Sequence, residues 1–380
     1  MTRRAPLSLG FAALCVFASC SDGDNPAGTT APASTLPADM IVSADAAFPA
    51  ARCEANQAAG KITYLSGFDF AATASIVDVL VADSKGYYDD LCLDVEVVAS
   101  FSTDNYPLIA ANEAQFASAG SFSEMVDFAG ANDAGFVALS VEGRTGIDAL
   151  ITKGSEITSL ADIKGKTIGV KGAITSSVKA MLAKEGLVEG EDYETVLLEG
   201  FDPLAHIEFP GIVGFPGYKS NEPLQLEAAG VPITVYDPAD YDIPGSFGVI
   251  YTNSTFATEH PTAAEDFIRA TMRGLADAID DPEAAAQVAV DLLNANGNAM
   301  YLSLEGELAR WGVESQLVAQ DVTAAAPLGV PQLDLLTAEL TTYASIGLFD
   351  GSAPDASGYV DTRLLASLYS ADGTLVWPAA

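Results

Sequence analysis

Basic residues are scarce in this sequence. The 380-residue chain has 17 lysines and arginines against 52 aspartates and glutamates, so its formal net charge is −35. Proteins bind nucleic acids mainly through lysine and arginine on phosphate, so this balance argues against a nucleic-acid partner. The acidic residues are dispersed and do not form runs, which is typical of a solvated, self-repelling surface.

Histidine and cysteine are also rare, with two and four copies respectively. His206 and His260 lie far apart, and no cysteine follows Cys92, so the sequence contains no metal-ligand spacing. No Ser/His or Cys/His pair stands where a nucleophile and its base would be needed. We therefore predict a protein that is not an enzyme and that carries no metal or cofactor.

Long apolar runs are absent except near the start. Two arginines fall within the first four residues, and residues 5–18 carry no charge. This length suits a secretory signal and is too short to span a bilayer, so we predict export. The end of this stretch, "FASC", resembles a bacterial lipobox, which implies that Cys20 receives a lipid and anchors the protein on the outer face of the cytoplasmic membrane. An ordinary signal peptide that happens to contain a cysteine is the alternative.

The residues after Cys20 are rich in Ser, Thr, Pro, Gly and Asp and have little to bury, so we predict a flexible tether over 21–60. Cys15 would leave with the signal peptide, which occupies 1–20. We therefore pair Cys53 with Cys92, because disulfides persist outside the cytoplasm. Two unpaired buried thiols remain the alternative.

From Lys61 onwards, strand and helix patterns alternate. "KITYLSGF" and "LDVEVVAS" have the composition and spacing of strands, and the segment between them has helical spacing. The same alternation continues to residue 253, and the final third is mostly helical. The sequence therefore predicts an α/β fold with mostly parallel sheets flanked by helices and a helical C-terminal part.

Three segments resemble a known family. They are "ADSKGYYDDLCLDVEVV", "SLADIKGKTIGVKGAITSSVKAMLAKEGL" and "GYKSNEPLQLEAAGVP". They resemble bacterial ABC-transporter solute-binding proteins of the group that handles sulfonates, nitrate, thiamine-precursor pyrimidines and flavins. The resemblance runs from about Lys61 to Gln320. It implies a two-lobed periplasmic-binding-protein fold of type II, with lobe one formed by 61–152 and 246–380 and lobe two by 153–245.

The resemblance also implies that ligand lies between the lobes, at the carboxyl ends of the strands, where helix N-termini present free N–H groups. After the first strand, Phe68 or Phe70 is expected to stack on a planar ligand, and Asp69 to bind ligand or cap the next helix. Core packing of one phenylalanine is the alternative. Ser121 either meets ligand through its hydroxyl or only caps a helix.

"KGAITSS" (171–177) is the strongest donor cluster of the predicted cleft. Lys171, Thr175 and Ser176 stand where a glycine turn enters a helix, and such a turn suits a carboxylate, sulfonate or carbonyl. The spacing is too short for a phosphate-binding loop of the Walker type. A plain strand-to-helix turn is the alternative.

"GFPGYKSNEPLQLE" (214–227) is the most unusual stretch. The resemblance makes it the last strand of lobe two and the following helix, with Phe215 and Tyr218 facing the cleft and Asn221 and Glu222 at the helix start. Glu222 would accept hydrogen bonds from N–H groups of a heterocycle, or it would only favour the helix N-terminus. We interpret the stretch as a wall of the cleft.

The leading hypothesis is a monomeric, extracytoplasmic solute-binding component of an ABC importer, which passes its ligand to a membrane permease and an ATPase. "NEPLQLE" looks most like members that carry pyrimidine precursors or flavins, so we expect a planar nitrogen heterocycle of the thiamine-precursor or riboflavin type. The few basic residues near the predicted cleft, Lys171, Lys219 and Arg144, disfavour a doubly charged anion. Sulfonates or nitrate are the alternative ligands.

Two other functions are alternatives to this hypothesis. Fungal enzymes that make the thiamine pyrimidine share the implied fold, but they use histidines and a cysteine-rich motif that this sequence lacks. A sensor that reports ligand to a partner protein is also compatible with the sequence.

Overall fold

The computed structural model describes residues 36–154, 156–296 and 302–379. The predicted signal peptide, Cys20 and most of the predicted tether lie outside these ranges. None of the helices in the described ranges is both long enough and apolar enough to cross a bilayer.

Ten strands occur in the described residues. In chain order they are β1 (Lys61–Leu65), β2 (Asp94–Val98), β3 (Phe116–Ala119), β4 (Phe136–Gly143), β5 (Asp148–Lys153), β6 (Thr167–Val170), β7 (Glu194–Leu197), β8 (Ile212–Tyr218), β9 (Ile233–Tyr236) and β10 (Phe247–Asn253).

Fourteen α-helices surround these strands in the same ranges. They are α1 (Ala50–Gln57), α2 (Val77–Ser84), α3 (Tyr87–Asp90), α4 (Ser102–Ala110), α5 (Phe122–Asn132), α6 (Ser176–Lys184), α7 (Pro203–Ile207), α8 (Glu222–Ala228), α9 (Ser254–Glu259), α10 (Pro261–Asp280), α11 (Pro282–Asn296), α12 (Leu304–Ala319), α13 (Leu333–Ala344) and α14 (Thr362–Ala366). Short 3₁₀ helices lie at Ala38–Met40, Leu160–Ile163, Pro238–Tyr241, Leu348–Gly351 and Ala356–Tyr359.

The strands form two five-stranded sheets, one in each lobe. The order is β2-β1-β3-β10-β4 in lobe one and β7-β6-β8-β5-β9 in lobe two. In each sheet the first three strands pair in parallel, whereas the strand that arrives from the other lobe, β10 or β5, runs antiparallel to both of its neighbours. The α/β fold with two lobes is confirmed, but the sheets are mixed. The prediction of mostly parallel sheets holds for only half of the strand pairs.

The first crossover between the lobes lies earlier than predicted. β5 pairs with β8 and β9, so it belongs to lobe two, and the chain crosses at residues 144–147. The predicted boundary after Thr152 placed this strand in lobe one and is wrong. The crossing is a short segment that ends with Gly146 and Ile147. The second crossover lies between β9 and β10.

The C-terminal helices do not all belong to lobe one. α10 packs against α2 in the core of lobe one, and α11 packs against α12. α13, however, packs against α6, and its Tyr343 is buried in the core of lobe two. The assignment of 246–380 to lobe one is therefore corrected at α13, which touches both lobes.

The end of the predicted tether is folded onto lobe one. Cys53 in α1 and Cys92 form the predicted disulfide, which is confirmed. Arg52 is buried, and its Nε lies 2.6 Å from a carboxylate oxygen of Asp266 in α10. The prediction that the tether extends to residue 60 is therefore wrong, because α1 begins at Ala50 and is held by a disulfide and a buried ion pair.

Candidate functional site: a cleft between the lobes

Two adjoining cavities lie between the lobes. We call the first the aromatic cavity; it measures about 350 Å³, and its lining includes Phe68, Phe101, Phe201, Tyr218, Asn221 and Arg310. We call the second the polar cavity; it measures about 520 Å³, and its lining includes Ser121, Ser123, Glu124, Asp127, Ser176 and Ser246. Thr103, Asp148, Lys171, Thr175 and Tyr218 line both cavities, so the two form one cleft. Each volume lies within the range of small-molecule sites.

Phe68 and Phe101 form the lobe-one side of the aromatic cavity. They follow β1 and β2, whose parallel pairing brings both carboxyl ends to the same edge of the sheet. The two loops are joined by a backbone hydrogen bond of 2.8 Å from Ser102 N to Gly67 O. The rings meet edge to face, with centroids 5.6 Å apart. Phe68 borders the cavity, and its stacking on a planar ligand stays a prediction.

Phe201 and Lys171 lie on the lobe-two side. Lys171 follows β6 and Phe201 follows β7, and these two strands are parallel neighbours. The Lys171 ammonium is 5.4 Å from the centre of the Phe201 ring, and the Phe201 ring is 5.7 Å from that of Phe68 in the other lobe. Aromatic rings of the two lobes are therefore in contact across the cleft.

Tyr218 stands at the centre of the cleft. It ends β8 and is paired with Asp148, the first residue of β5. Its side chain retains 41 % of its exposure and borders both cavities. Removal from bulk water, together with the negative charges of surrounding carboxylates, raises its pKa well above the usual range, so its hydroxyl stays protonated. Tyr218 can therefore offer both a ring face and a hydrogen-bond donor.

Glu222 lines the aromatic cavity but is engaged by the protein. Its Oε1 accepts a hydrogen bond of 3.0 Å from Lys171 Nζ, and its Oε2 accepts one of 2.8 Å from the Tyr218 N–H. The residue is only 4 % exposed. Both carboxylate oxygens of Glu222 therefore have partners within the protein. Glu222 closes the turn at the start of α8, which fixes Tyr218 and neutralises Lys171.

Helix α12 connects the two lobes beside the aromatic cavity. Arg310 Nη2 donates to Asn221 Oδ1 at 2.8 Å, and Ser220 Oγ donates to Glu314 Oε1 at 2.7 Å. Glu314, which is fully buried, also accepts the N–H of Ala74 in lobe one at 2.8 Å. The turn that carries Tyr218 is thus fastened to lobe one, and the lobes are closed on each other.

The N-terminus of α6 faces the polar cavity through Thr175, Ser176 and Ser177. The first N–H groups of a helix have no partner within the helix and favour negative charge. Asp148 meets this end, since Ser177 Oγ donates to its Oδ2 at 3.0 Å. Thr175 Oγ1 is buried and makes no hydrogen bond to any residue that the structure describes. The predicted donor cluster lies in the cleft, but a protein carboxylate already contacts it.

The polar cavity contains carboxyl groups with perturbed pKa values. Burial, reinforced by the charge of Asp148, raises the pKa of Glu124 to about 7. Burial likewise raises the pKa of Asp148 to about 6, with Glu222 adding to the effect. Ser121 caps α5, its Oγ accepting the N–H of Glu124 at 3.2 Å. Ser121 therefore caps a helix and also borders the cavity, and its contact with ligand stays a prediction.

Three of the predicted site residues do not line either cavity. Phe70 and Phe215 are 6 % and 1 % exposed and pack in the cores of lobe one and lobe two. Asp69 is also buried, and its Oδ1 accepts the N–H of Phe70 at 2.8 Å. Phe215 points away because side chains alternate along a strand, and Tyr218 lies three residues further on. The prediction that these three residues contact ligand is therefore corrected, because all three have structural roles within the lobes.

The basic residues of the cleft also differ from those predicted. Lys219 pairs with Asp237 at 2.7 Å, and Arg144 donates to backbone carbonyls, including that of Pro327 at 2.7 Å. Neither lines the two cavities. Arg310 does line the aromatic cavity, and no sequence pattern predicts this, because Arg310 lies far along the chain on α12. Phe101 and Phe201 could have been found, since each follows a predicted strand of the alternating pattern.

A family model described as NMT1/THI5 like matches residues 73–285, more than half of the chain. The chain belongs to the NMT1/THI5-like family. The riboflavin-binding protein RibY of Chloroflexus aurantiacus is 27% identical over 304 residues, which cover 77% of this chain and 79% of that protein.

Solved structures of this family's fold also match. The alkanesulfonate-binding protein SsuA from Xanthomonas axonopodis pv. citri, bound to MOPS, is 13% identical with a TM-score of 0.57, covering 79% of this chain and 98% of that one. The desulfurization enzyme DSZB is 14% identical with a TM-score of 0.55, covering 81% and 99%. At these identities the likeness shows the fold alone, and it agrees with the predicted periplasmic-binding-protein architecture.

Proposed function

We propose that this chain is the extracytoplasmic solute-binding component of an ABC importer and that it captures a small, uncharged, planar nitrogen heterocycle between its lobes. The observation that carries the proposal is the aromatic cavity. Phe68 and Phe101 from lobe one and Phe201 and Tyr218 from lobe two border the same space. Stacking of a planar base on an aromatic side chain is worth ~1–3 kcal/mol.

Polar groups at the rim of the aromatic cavity suit the edge of such a ring. Asn221 Oδ1 already accepts from Gln225 Nε2 at 2.7 Å and from Arg310 Nη2 at 2.8 Å. The amide N–H of Asn221 can donate to the ring of a ligand, and the amide oxygen of Gln225 can accept from it. The riboflavin-binding function named for the Chloroflexus aurantiacus relative is consistent with this chemistry. A riboflavin-like or pyrimidine ring is therefore the ligand class that we favour.

The charge distribution disfavours sulfonates and nitrate as ligands. Lys171, the one lysine among the described residues that line the cleft, already pairs with Glu222. The N-terminus of α6 already meets the carboxylate of Asp148. Arg310, which also lines the aromatic cavity, lies 3.4 Å from a carboxylate oxygen of Glu307. Because each of these three features already has a carboxylate partner, an anionic ligand would gain little there.

Two segments that connect the lobes suit a protein that delivers its ligand to a transporter. The lobes are linked by two crossover segments, so they can open and close on a ligand, and a permease with its ATPase would accept the ligand from the closed form. We propose that the protein is a monomer anchored by lipid on Cys20 at the outer face of the membrane. An unmodified mature N-terminus at another residue, found by mass spectrometry, would contradict the anchor.

A binding role is favoured over catalysis. Neither histidine lines the two cavities, and His206 is buried with its ring against Phe215, centroids 5.5 Å apart. Permease and ATPase genes beside this gene would support import, and their absence would favour a sensor.

A thermal-shift panel on the purified full-length protein tests the ligand class. It should include riboflavin, thiamine and its pyrimidine precursor, taurine, an alkanesulfonate and nitrate. A ligand at one hundred times its dissociation constant adds ~2.7 kcal/mol to the free energy of unfolding. We expect a heterocycle to raise the melting temperature. A rise with a sulfonate or nitrate and with no heterocycle would contradict the proposal.

A further inference from the structure

We infer that the polar cavity is a subsite for an uncharged, hydroxyl-rich side chain of the ligand and that it excludes phosphate esters. This inference rests on the proposed function, because the ring of the same ligand would occupy the aromatic cavity. It narrows the ligand from any planar heterocycle to one that carries a polyol substituent.

The first support is the space itself. The polar cavity, at about 520 Å³, is larger than the aromatic cavity, at about 350 Å³, and joins it at Asp148, Lys171, Thr175 and Tyr218. A bare pyrimidine or three-ring system bound between the aromatic side chains would leave this second space filled only by water. A ligand with a flexible polar extension would use both spaces.

The second support is the hydrogen-bonding character of the lining. Hydroxyl groups dominate it, from Thr103, Ser121, Ser123, Thr175, Ser176, Ser177, Ser246 and Tyr343. Some of them already have a partner in the protein, since Ser177 Oγ donates to Asp148 and the Tyr343 hydroxyl donates to the carbonyl of Pro244. A hydroxyl that donates can still accept, so these groups can accept hydrogen bonds from the hydroxyls of a polyol. Thr175 Oγ1, at the junction of the two cavities, is buried and has no partner among the described residues. A buried hydroxyl without a partner is costly, and a ligand hydroxyl at this junction would satisfy it.

The third support is the charge of the lining. Glu124, Asp127 and Asp148 border the cavity, against Lys171 as the one basic side chain among the described lining residues. Lys171 is paired with Glu222 at 3.0 Å. Carboxylates accept hydrogen bonds from polyol hydroxyls, whereas a phosphate would meet like charges in a partly desolvated space. The same groups therefore favour the polyol and oppose its phosphate ester.

Calorimetric titration of the full-length protein with three probes at pH 7.5 tests the inference. The probes are riboflavin, riboflavin 5′-phosphate and lumiflavin, which keeps the isoalloxazine ring and carries a methyl group in place of the polyol. We expect lumiflavin and the phosphate ester each to bind at least about tenfold more weakly than riboflavin, a difference of ~1.4 kcal/mol. Glu124→Gln removes one facing carboxylate, so the penalty for the phosphate ester should shrink. Glu113→Gln, an exposed carboxylate of the same lobe, is the matched control and should leave all three affinities unchanged.

The outcomes separate this inference from the proposed function. Equal affinity for lumiflavin and riboflavin, or an ester that binds as tightly as riboflavin, would overturn the inference while the heterocycle proposal stands. Lumiflavin binding without riboflavin binding would do the same. If none of the three binds and an alkanesulfonate does, the proposed function fails and the inference fails with it. An unchanged penalty in Glu124→Gln, with the fold intact by melting curve, would refute the charge argument.

Discussion

Replacing Glu222 by glutamine separates a supporting role from direct contact with ligand. Glutamine keeps the shape of the side chain and can still accept the N–H of Tyr218. It cannot keep the ion pair with Lys171, because the amide carries no charge and its nitrogen is itself a donor. We therefore expect Glu222→Gln to lower the stability of the protein and to change the affinity for a neutral heterocycle little.

The structure sets the size of the effect. A hydrogen bond to a charged group is worth ~1.5–3 kcal/mol. The Lys171 side chain is 31 % exposed and can turn to water when its partner is lost, whereas Glu222 is nearly buried, so its removal also relieves some desolvation. These offsets place the expected loss at ~1–2 kcal/mol, at the lower part of the range. Lys171 would then be free, and the affinity for an alkanesulfonate should rise.

Melting curves and calorimetric titrations of the two proteins measure these effects. Glu227→Gln is the matched control, because it removes an exposed carboxylate from the same helix, α8. We expect the control to change neither quantity. An unchanged melting temperature in Glu222→Gln, together with a tenfold or greater loss of heterocycle binding, would refute this reasoning and make Glu222 a ligand contact.

Three further predictions concern the ring, the disulfide and the cleft carboxyls. Tyr218→Ala should weaken heterocycle binding by roughly ten- to a hundredfold in calorimetry, the equivalent of ~1–3 kcal/mol of stacking, whereas Tyr218→Phe should retain most of the affinity. Reduction of the Cys53–Cys92 bridge, which spans 39 residues, should cost ~4 kcal/mol and lower the melting temperature, and unchanged melting would contradict this. Burial raises the pKa of Glu124 to about 7 and that of Asp148 to about 6, so each carboxyl must ionise inside the cleft as the pH rises. The free energy of unfolding should therefore fall as the pH rises through this range. Glu124→Gln should flatten the dependence of the melting temperature on pH between pH 5 and pH 8.

The family resemblance and the alternation of strand and helix patterns together predict most of the fold. Buried runs such as Thr167–Val170 and capped helices such as α5 are local features, so their positions follow from nearby residues. Membership of β5 in lobe two is not local. It depends on pairing with β8, about 60 residues away, and no feature of the crossover segment itself marks the change of lobe.

The candidate site also contains some residues that the sequence predicts and others that it does not. Phe68, Lys171, Thr175 and Tyr218 follow strands and could be placed in the cleft from their order in the chain. Arg310 could not, because it reaches the cleft only through the packing of α12 against both lobes.

The sequence also does not predict which charged side chains pair within the cleft. The contact of Lys171 with Glu222 joins residues 51 positions apart. Both residues were predicted to contact ligand, whereas in the structure their contact supports the wall of the cleft. Only the folded structure shows that the two side chains meet.

A fluorescence titration of riboflavin with the full-length protein tests the central claim most directly, namely that a planar heterocycle lies among aromatic rings from both lobes. The account predicts saturable quenching at one ligand per chain, strongly weakened when the lobe-two rings are removed in a Phe201→Leu, Tyr218→Leu variant that still melts cooperatively. Riboflavin that stays unquenched at saturating protein, or quenching that this variant leaves unchanged, would contradict it.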